Sequence, residues 1–300
     1  RGVDMYLNEK SWQEAQDDIH MIDSSLKEFL NVYRQIKKRY PRQEIFVPEG
    51  EILYLQEYPL NKWIAMADIE YRRLYLSFWN RRITYNPEDE YELLVGETVL
   101  KGGTEACLNA SCMFSIGLDE KWTQPRIPGL FVSMDGEEEV EVANVFRADQ
   151  LDDSEIKCIL DEEAKIPILS YEELWDKKDD LFPHLCFCPS VEADLQKLEN
   201  YYLSQIVQKL EQLEQHCAIT GTEKIDTSVL SKTTVELQAT LDKYTADHTF
   251  RDEKGKSYVA SWHMRFTGIP GRIFFVPGYE PERMLVCYIG KKLKNVSFPT

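Results

Sequence analysis

The chain has 300 residues, of which 43% are hydrophobic, and its formal net charge at pH 7 is −17. Its 13 Phe, 16 Tyr and 6 Trp exclude an intrinsically disordered chain, which has few aromatic residues, and predict packed cores. The strong negative charge excludes a nonspecific nucleic-acid binder, which needs a positive surface. No run of about 18 apolar residues occurs, so the sequence predicts no membrane partner.

The cysteines and the first residues bear on the cellular compartment. Seven cysteines lie at irregular spacing, which is not the pattern of a disulfide framework, and no apolar secretory segment precedes Ser11. The sequence therefore predicts a cytoplasmic protein. Its length is that of about two domains of ordinary size.

The first 180 residues show helical patterns and then strand patterns. Ser11 with Glu14 has the spacing of a capping box, and apolar residues then recur at steps of three and four as far as Lys38. Asp135-Gly136 between two apolar runs indicates a hairpin. A mixed α+β domain is predicted over residues 1–181. Its predicted helices are 11–38, 62–80, 152–164 and 170–178, and its predicted strands are 91–95, 111–116, 130–134 and 138–145.

A simpler order of elements follows from Phe182. A short apolar strand is stopped by Pro189, and Gly221 separates two helical patterns. Three strands come next, divided by glycine and proline turns. The predicted elements are a strand at 184–188, helices at 190–217 and 227–246, and strands at 256–266, 272–277 and 284–289.

Charge is unevenly distributed along the chain. Between Arg251 and Thr300, nine Lys and Arg stand against four Asp and Glu, whereas the remainder is strongly acidic. A positive end on an acidic body is typical of a local anion site, and solvated surface charge is the alternative interpretation.

Residues 182–300 resemble the RelE/ParE toxin family in element order, β-α-α-β-β-β, and in local sequence. The similar segments are Ser261-Trp-His-Met-Arg265, Gly271-Arg-Ile-Phe-Phe275 and Leu285-Val-Cys-Tyr-Ile-Gly-Lys-Lys292. In that family a basic strand precedes a glycine turn, an arginine opens the next strand, and the last strand ends in glycine and basic residues. The resemblance implies a RelE-like module after an acidic domain of unknown function.

The resemblance also implies site residues. Ribonucleases of the family cleave mRNA on the ribosome without a metal or cofactor, since cations hold the phosphate and stabilise its developing charge. Carried over to this chain, the catalytic set is His263, Arg265, Arg272, Lys291 and Lys292, with Arg272 on the scissile phosphate and His263 as general acid or base. His263 and Arg265 are two residues apart in a predicted strand, so they are expected to share a face. The implied RNA-binding residues are Lys256, Arg283, Tyr288 and Lys294.

Structural roles are the alternatives for these residues. His263 has the surroundings of a hydrogen-bonded sheet histidine, and the lysines at 291, 292 and 294 are equally typical of a solvated tail. The family's tail tyrosine has no counterpart after Tyr288, which leaves open the family branch that acts on DNA gyrase.

A zinc site is a weaker alternative. His184, Cys186 and Cys188, with His216 and Cys217 from a helix end, supply ligand types for zinc. Alternation in a strand puts the first three on one face, as an apolar core requires, so no metal is predicted.

Three functions from different classes follow. The first is a RelE-like ribonuclease in a bacterial toxin or anti-phage setting, with RNA, the ribosome and an antitoxin or defence protein as partners. The second is a protein that binds nucleic acid or another protein through the basic sheet without cleavage. The third is an assembly component that uses its long amphipathic helices.

Overall fold

The chain folds as a mixed α+β protein in two compact units, Arg1–Glu163 and Ala164–Thr300. The computed structural model describes residues 4–16, 18–41, 43–51, 60–87, 90–133, 136–161, 168–227, 230, 233–266 and 270–296. These residues contain no helix that is both long and apolar enough to cross a membrane. The units divide between residues 163 and 164, whereas the sequence analysis places the domain boundary between residues 181 and 182.

Unit 1 contains one large mixed sheet. Its strands are β1 (Met5–Leu7), β2 (Ile45–Pro48), β3 (Ile83–Tyr85), β4 (Tyr91–Val95), β5 (Thr98–Val99), β6 (Met113–Phe114), β7 (Arg126–Ser133) and β8 (Gly136–Val145). Its helices are α1 (Ile19–Arg39), α2 (Leu60–Met66), α3 (Ile69–Arg81), α4 (Lys101–Leu108) and α5 (Ser154–Leu160). The strand order is β3-β2-β1-β6-β8-β7-β4-β5, in which the first five strands are parallel to one another.

Side chains alternate between the two faces of the parallel strands. Met5 and Leu7 belong to the core that α1 and α3 cover, and Tyr6 faces the other way. The Tyr6 ring lies 5.6 Å from Phe46 and 6.1 Å from Tyr85. Because β1 and β2 are buried on both faces, they lack the polar alternation that marks a strand, and no local pattern predicted them. The three-residue strand β3 was not predicted either.

The predicted helices of unit 1 exist but have different ends. The first begins at Ile19 rather than Ser11, since the Asp18 side chain accepts hydrogen bonds from His20 N and Met21 N. Ser11 lies in a 3₁₀ turn, and its hydroxyl accepts from Ile116 N. The second is divided into α2 and α3. The predicted hairpin is β7–β8, with Met134 and Asp135 outside the described residues, as are residues 162–164 of the third helix.

A buried carboxylate connects β1 to α4. Glu9 is fully buried, and its oxygens accept hydrogen bonds from Lys101 N at 2.7 Å and Gly102 N at 3.0 Å. Glycine is required at 102, because a Cβ there would lie 1.9 Å from the Leu7 carbonyl oxygen. Burial raises the pKa of Glu9 to about 7, although the backbone donors favour its charged form.

The pKa of Glu9 makes the stability of unit 1 depend on pH. The folded state holds the Glu9 proton more tightly than the unfolded chain, whose pKa is near 4.5. The free energy of unfolding is therefore highest at low pH, where Glu9 is protonated in both states. It falls by about 3 kcal/mol as the pH rises through 7 and the buried carboxyl loses its proton. We expect Glu9→Gln to flatten this pH dependence in urea unfolding. The exposed-site control Glu97→Gln should keep it, and an unchanged slope in Glu9→Gln would contradict the assignment.

Unit 2 contains a five-stranded sheet and a separate hairpin. Its strands are β9 (Leu185–Phe187), β10 (Thr233–Val235), β11 (Thr249–Arg251), β12 (Ser257–Val259), β13 (Trp262–Phe266), β14 (Gly271–Glu280) and β15 (Arg283–Lys291). Its helices are α6 (Tyr171–Leu181), α7 (Ser190–Leu195), α8 (Leu203–Thr220) and α9 (Gln238–Lys243). The sheet order is β10-β13-β14-β15-β9, with only β9 parallel to its neighbour, and β11 pairs with β12.

The predicted meander is present as β13, β14 and β15, but the strand predicted at 256–266 is divided into β12, which pairs with β11, and β13. The strand predicted at 184–188 is β9, and the two predicted helices differ from the structure. The helix predicted at 190–217 is interrupted by a 3₁₀ turn at Asn200–Tyr202. The helix predicted at 227–246 is wrong, since Thr233–Val235 pairs with β13 and only Gln238–Lys243 is helical; residues 228, 229, 231 and 232 lie outside the described part. Two threonines and a valine favour a strand, and pairing with β13 overrides the helical spacing.

One face of the unit 2 sheet packs against helix. Met264 and Phe266 of β13 are buried in the core with residues of α8, and the Phe266 ring lies 5.9 Å from Tyr202. Alternation along β13 therefore directs His263 and Arg265 to the opposite face. That face carries the candidate site.

Candidate functional site

Strand register brings two arginines together. Arg265 of β13 lies directly opposite Arg272 of β14, and Arg272 in turn lies opposite Gly290 of β15. His263 lies opposite Phe274. Each of these residues is two positions along its strand from the arginine, so all four side chains lie on the same face of the sheet. The sequence analysis predicted that His263 and Arg265 share a face, and the register adds Arg272 beside them.

These three side chains are buried. Arg272 is 1% exposed, and Arg265 and His263 are each 6% exposed. His263 Nε2 forms a 2.9 Å hydrogen bond with the Thr234 hydroxyl, and Arg272 Nη1 donates to the Gly271 carbonyl at 3.1 Å. The described arrangement therefore holds the arginine pair away from solvent.

Aromatic rings lie over the face next to the arginine pair. The Phe274 ring contacts His248 at 5.2 Å and His263 at 5.0 Å between ring centroids. Phe250 of β11 stacks on Tyr288 of β15 at 5.9 Å. The segment that contains His248 and Phe250 thus covers the side of the sheet opposite α8.

Tyr288 is held over a glycine. The Tyr288 hydroxyl donates to the Lys291 carbonyl at 2.8 Å, and a Cβ on Gly290 would lie 2.5 Å from the Tyr288 oxygen. Burial is the main cause that raises the pKa of Tyr288 to about 12. The phenol is therefore neutral at pH 7, and its proton is engaged with the backbone.

The lysines implied by the family resemblance lie around this end of the sheet. Lys291 is exposed, and its register position opposite Gly271 places it on the other face from Arg272. Lys292 N donates to the Pro270 carbonyl, and the Lys294 carbonyl lies 3.0 Å from His248 Nε2. The side chain of Lys294 is exposed.

Lys256 and Arg283 lie at the opposite end of the sheet. Arg283 opens β15 opposite Glu280, and the strand places it about 26 Å from Lys291. Lys256 Nζ lies 4.9 Å from the Tyr258 ring, which contacts Tyr279 near the same end. The structure therefore does not bring these two residues into one cluster with the arginine pair.

His248 and Thr234 are the site neighbours that the sequence analysis missed. His248 is fully buried, and Thr234 reaches His263 from a strand that was predicted to be helix. Their contacts join segments far apart in the chain, so no local pattern reports them.

The candidate zinc ligands make other contacts. The ring Nδ1 of His184 forms a hydrogen bond with Glu214, and the ring Nε2 of His216 accepts one from Asp226 N. Among the described residues, no group of three or more His, Cys, Asp or Glu side chains is placed to hold a metal ion.

Comparison of the chain with protein-family models, curated proteins and solved structures finds no match.

The close contact of Tyr288 with Gly290 gives a test of the site geometry. We expect Gly290→Ala to lower the free energy of unfolding by about 1–3 kcal/mol, because the tyrosine ring must move and lose its bond to the Lys291 carbonyl. Adding Tyr288→Leu should recover part of that loss, since the displaced ring atoms are gone. Urea unfolding of the two single variants and the double variant measures the coupling, and strictly additive losses would contradict the contact.

Proposed function

We propose that unit 2 binds single-stranded RNA, with Arg265 and Arg272 as its phosphate site. The observation that carries this proposal is the register that puts the two arginines directly opposite each other. The proposal selects the RNA-binding alternative among the functions expected from the sequence.

Two opposed arginines suit a phosphate. Guanidinium groups donate paired hydrogen bonds that match phosphate oxygens, and Arg265 and Arg272 carry two such groups at directly opposed positions of neighbouring strands. A phosphate there would be held by two rigid strands.

The charges around the site support RNA as the ligand. Lys291, Lys292 and Lys294 follow one another at the same end of the sheet, and the last 50 residues carry an excess of positive charge. A local cationic surface on an acidic chain attracts a polyanion to that surface alone. RNA binding of this kind fits the toxin or anti-phage setting that the family resemblance implies.

The geometry favours binding over cleavage. His263 Nε2 is engaged by Thr234, and the Tyr288 hydroxyl is engaged by the Lys291 carbonyl. A general acid or base needs its proton-transfer atom directed at the reacting phosphate. In this arrangement both of these atoms are engaged by groups of the sheet itself.

The lysine cluster gives a test by salt dependence. We expect a variant with Lys291, Lys292 and Lys294 changed to Gln to bind a short single-stranded RNA more weakly. The slope of log affinity against log salt should fall by about 0.7 for each lysine that contacts a phosphate. Fluorescence anisotropy of labelled RNA measures both quantities.

The matched control removes three exposed lysines elsewhere in unit 2. Changing Lys177, Lys197 and Lys224 to Gln lowers the net charge by the same amount. Equal losses of affinity in the two triple variants would mean that net charge alone, and not the position of the lysines, determines RNA binding. The absence of measurable binding by the unaltered chain would refute the proposal.

The arginine pair is tested by replacing its planar groups. Arg265→Lys and Arg272→Lys keep the charge and remove the forked donors, so each should weaken RNA binding about tenfold. Near-UV circular dichroism checks that the unit remains folded, and gel analysis of the labelled RNA detects any cleavage. RNA cut by the unaltered chain and left intact by Arg272→Lys would support the ribonuclease alternative instead.

A further inference from the structure

We propose that Cys188 and Cys287 form a disulfide when the chain meets a small oxidising disulfide, and that this bond locks the edge strand β9 onto β15. Both cysteines are free thiols in the structure, and both are buried. The bond is independent of the proposed RNA binding, which uses other residues.

Strand register places the two thiols side by side. β9 runs parallel to β15, and its last residue, Phe187, lies opposite Val286. The next step along both chains brings Cys188 opposite Cys287. The Cys188 N–H donates to the Val286 carbonyl at 2.9 Å, so the pairing continues to this position.

This placement fits the geometry of a disulfide. Directly opposite residues of neighbouring strands have Cα atoms about 4.8 Å apart, and a disulfide joins Cα atoms that are about 4.4–6.8 Å apart. The sulfur atoms of Cys188 and Cys287 are already within hydrogen-bonding distance of each other. Closing the bond therefore requires little movement of either strand.

A break in the β14–β15 ladder occurs at the same cysteine. Phe274 lies opposite Tyr288. The next residue, Phe275, lies opposite Val286, so Cys287 has no opposite residue on β14. A β-bulge of this kind changes the direction of a side chain. The cross-strand neighbour of Cys287 is therefore on the β9 side.

The pair is protected until the edge strand opens. Both side chains are 0% exposed, and the contact with Cys188 and burial raise the pKa of the Cys287 thiol. A protonated thiol is unreactive, because the thiolate is the nucleophile. β9 has three residues and, among the described strands, pairs with β15 alone. Local opening of this short edge admits a reagent.

Oxidation proceeds by thiol–disulfide exchange. In the opened edge, the thiolate of one cysteine attacks a small disulfide, forms a mixed disulfide and releases one thiolate of the reagent. The second cysteine loses its proton and attacks the mixed disulfide, which forms the Cys188–Cys287 bond and releases the second thiolate. The two protons pass to the released thiolates, and the small disulfide is the species that is reduced.

The bond ties the first strand of the unit 2 sheet to the last. It closes a loop of about 100 residues, and a cross-link over a long loop strongly restricts the unfolded chain. We expect oxidation to raise the melting temperature of unit 2 by about 5–15 °C. The stability of unit 2 would then depend on the redox state of its surroundings.

Refolding in glutathione tests the pairing. The full chain is used with Cys158→Ser, because that exposed thiol would join two molecules. It is unfolded in urea and refolded in a mixture of oxidised and reduced glutathione. We expect two free thiols to be lost, and mass spectrometry of a digest to find the peptides of Cys188 and Cys287 joined. Scanning calorimetry should show the higher melting temperature, and dithiothreitol should reverse both changes.

The matched control is Cys217→Ala, because Cys217 is buried in the same core, on α8. This variant should keep the bond and the stabilisation, whereas Cys188→Ala and Cys287→Ala should each lose both. Every variant is compared with itself in oxidising and reducing buffer, so the effect of a cavity left by the substitution cancels.

Three results would overturn the proposal. The first is that Cys188 and Cys287 both remain open to alkylation after refolding in oxidised glutathione. The second is a bond from Cys186, two residues away from Cys188, in place of the bond between the opposed pair. The third is a Cys188–Cys287 bond that leaves the melting temperature unchanged, because such a bond does not lock β9.

Discussion

The pairing of Arg265 with Arg272 is the constraint on which the rest of unit 2 depends. The register of β13 and β14 fixes it, and the same register sets His263 beside Phe274 and Gly290 beside Arg272. Both arginine side chains are buried, so the surrounding structure holds them in place. The glycine that admits the Tyr288 ring belongs to this arrangement, since a side chain at 290 would displace it.

Unit 1 shows a related use of a buried charge. Glu9 places its carboxylate on the backbone donors of α4, and that contact fixes the helix against the end of β1. Its desolvation is partly offset by two hydrogen bonds from the first turn of a helix, where negative charge is favoured. In each unit, a charged side chain is buried at a position that the strand order defines.

The sequence predicted the parts of the fold that have local signals. The meander of β13 to β15 was predicted from apolar runs between glycine and proline turns, and the β7–β8 hairpin from Asp135-Gly136. The parallel strands β1 and β2 gave no such signal, because they are short and buried on both faces. β10 was missed because its residues also fit a helical spacing, and only its pairing with β13 decides the outcome. At the site, alternation predicted a shared face for His263 and Arg265. Their burial was not predictable, since the contacts on that face come from the distant His248 and Thr234.

The parallel pairing of β9 with β15 bears on how unit 2 forms during synthesis. Leu185 pairs with Met284, so β9, which is the first strand of this sheet to be synthesised, cannot pair until β15 has been synthesised. Contacts between such distant segments form late, because a long loop must close before they do. On the ribosome, β9 and its helices emerge while the residues that supply both arginines are still unmade. The cationic face therefore exists only once the chain has been translated as far as Lys291.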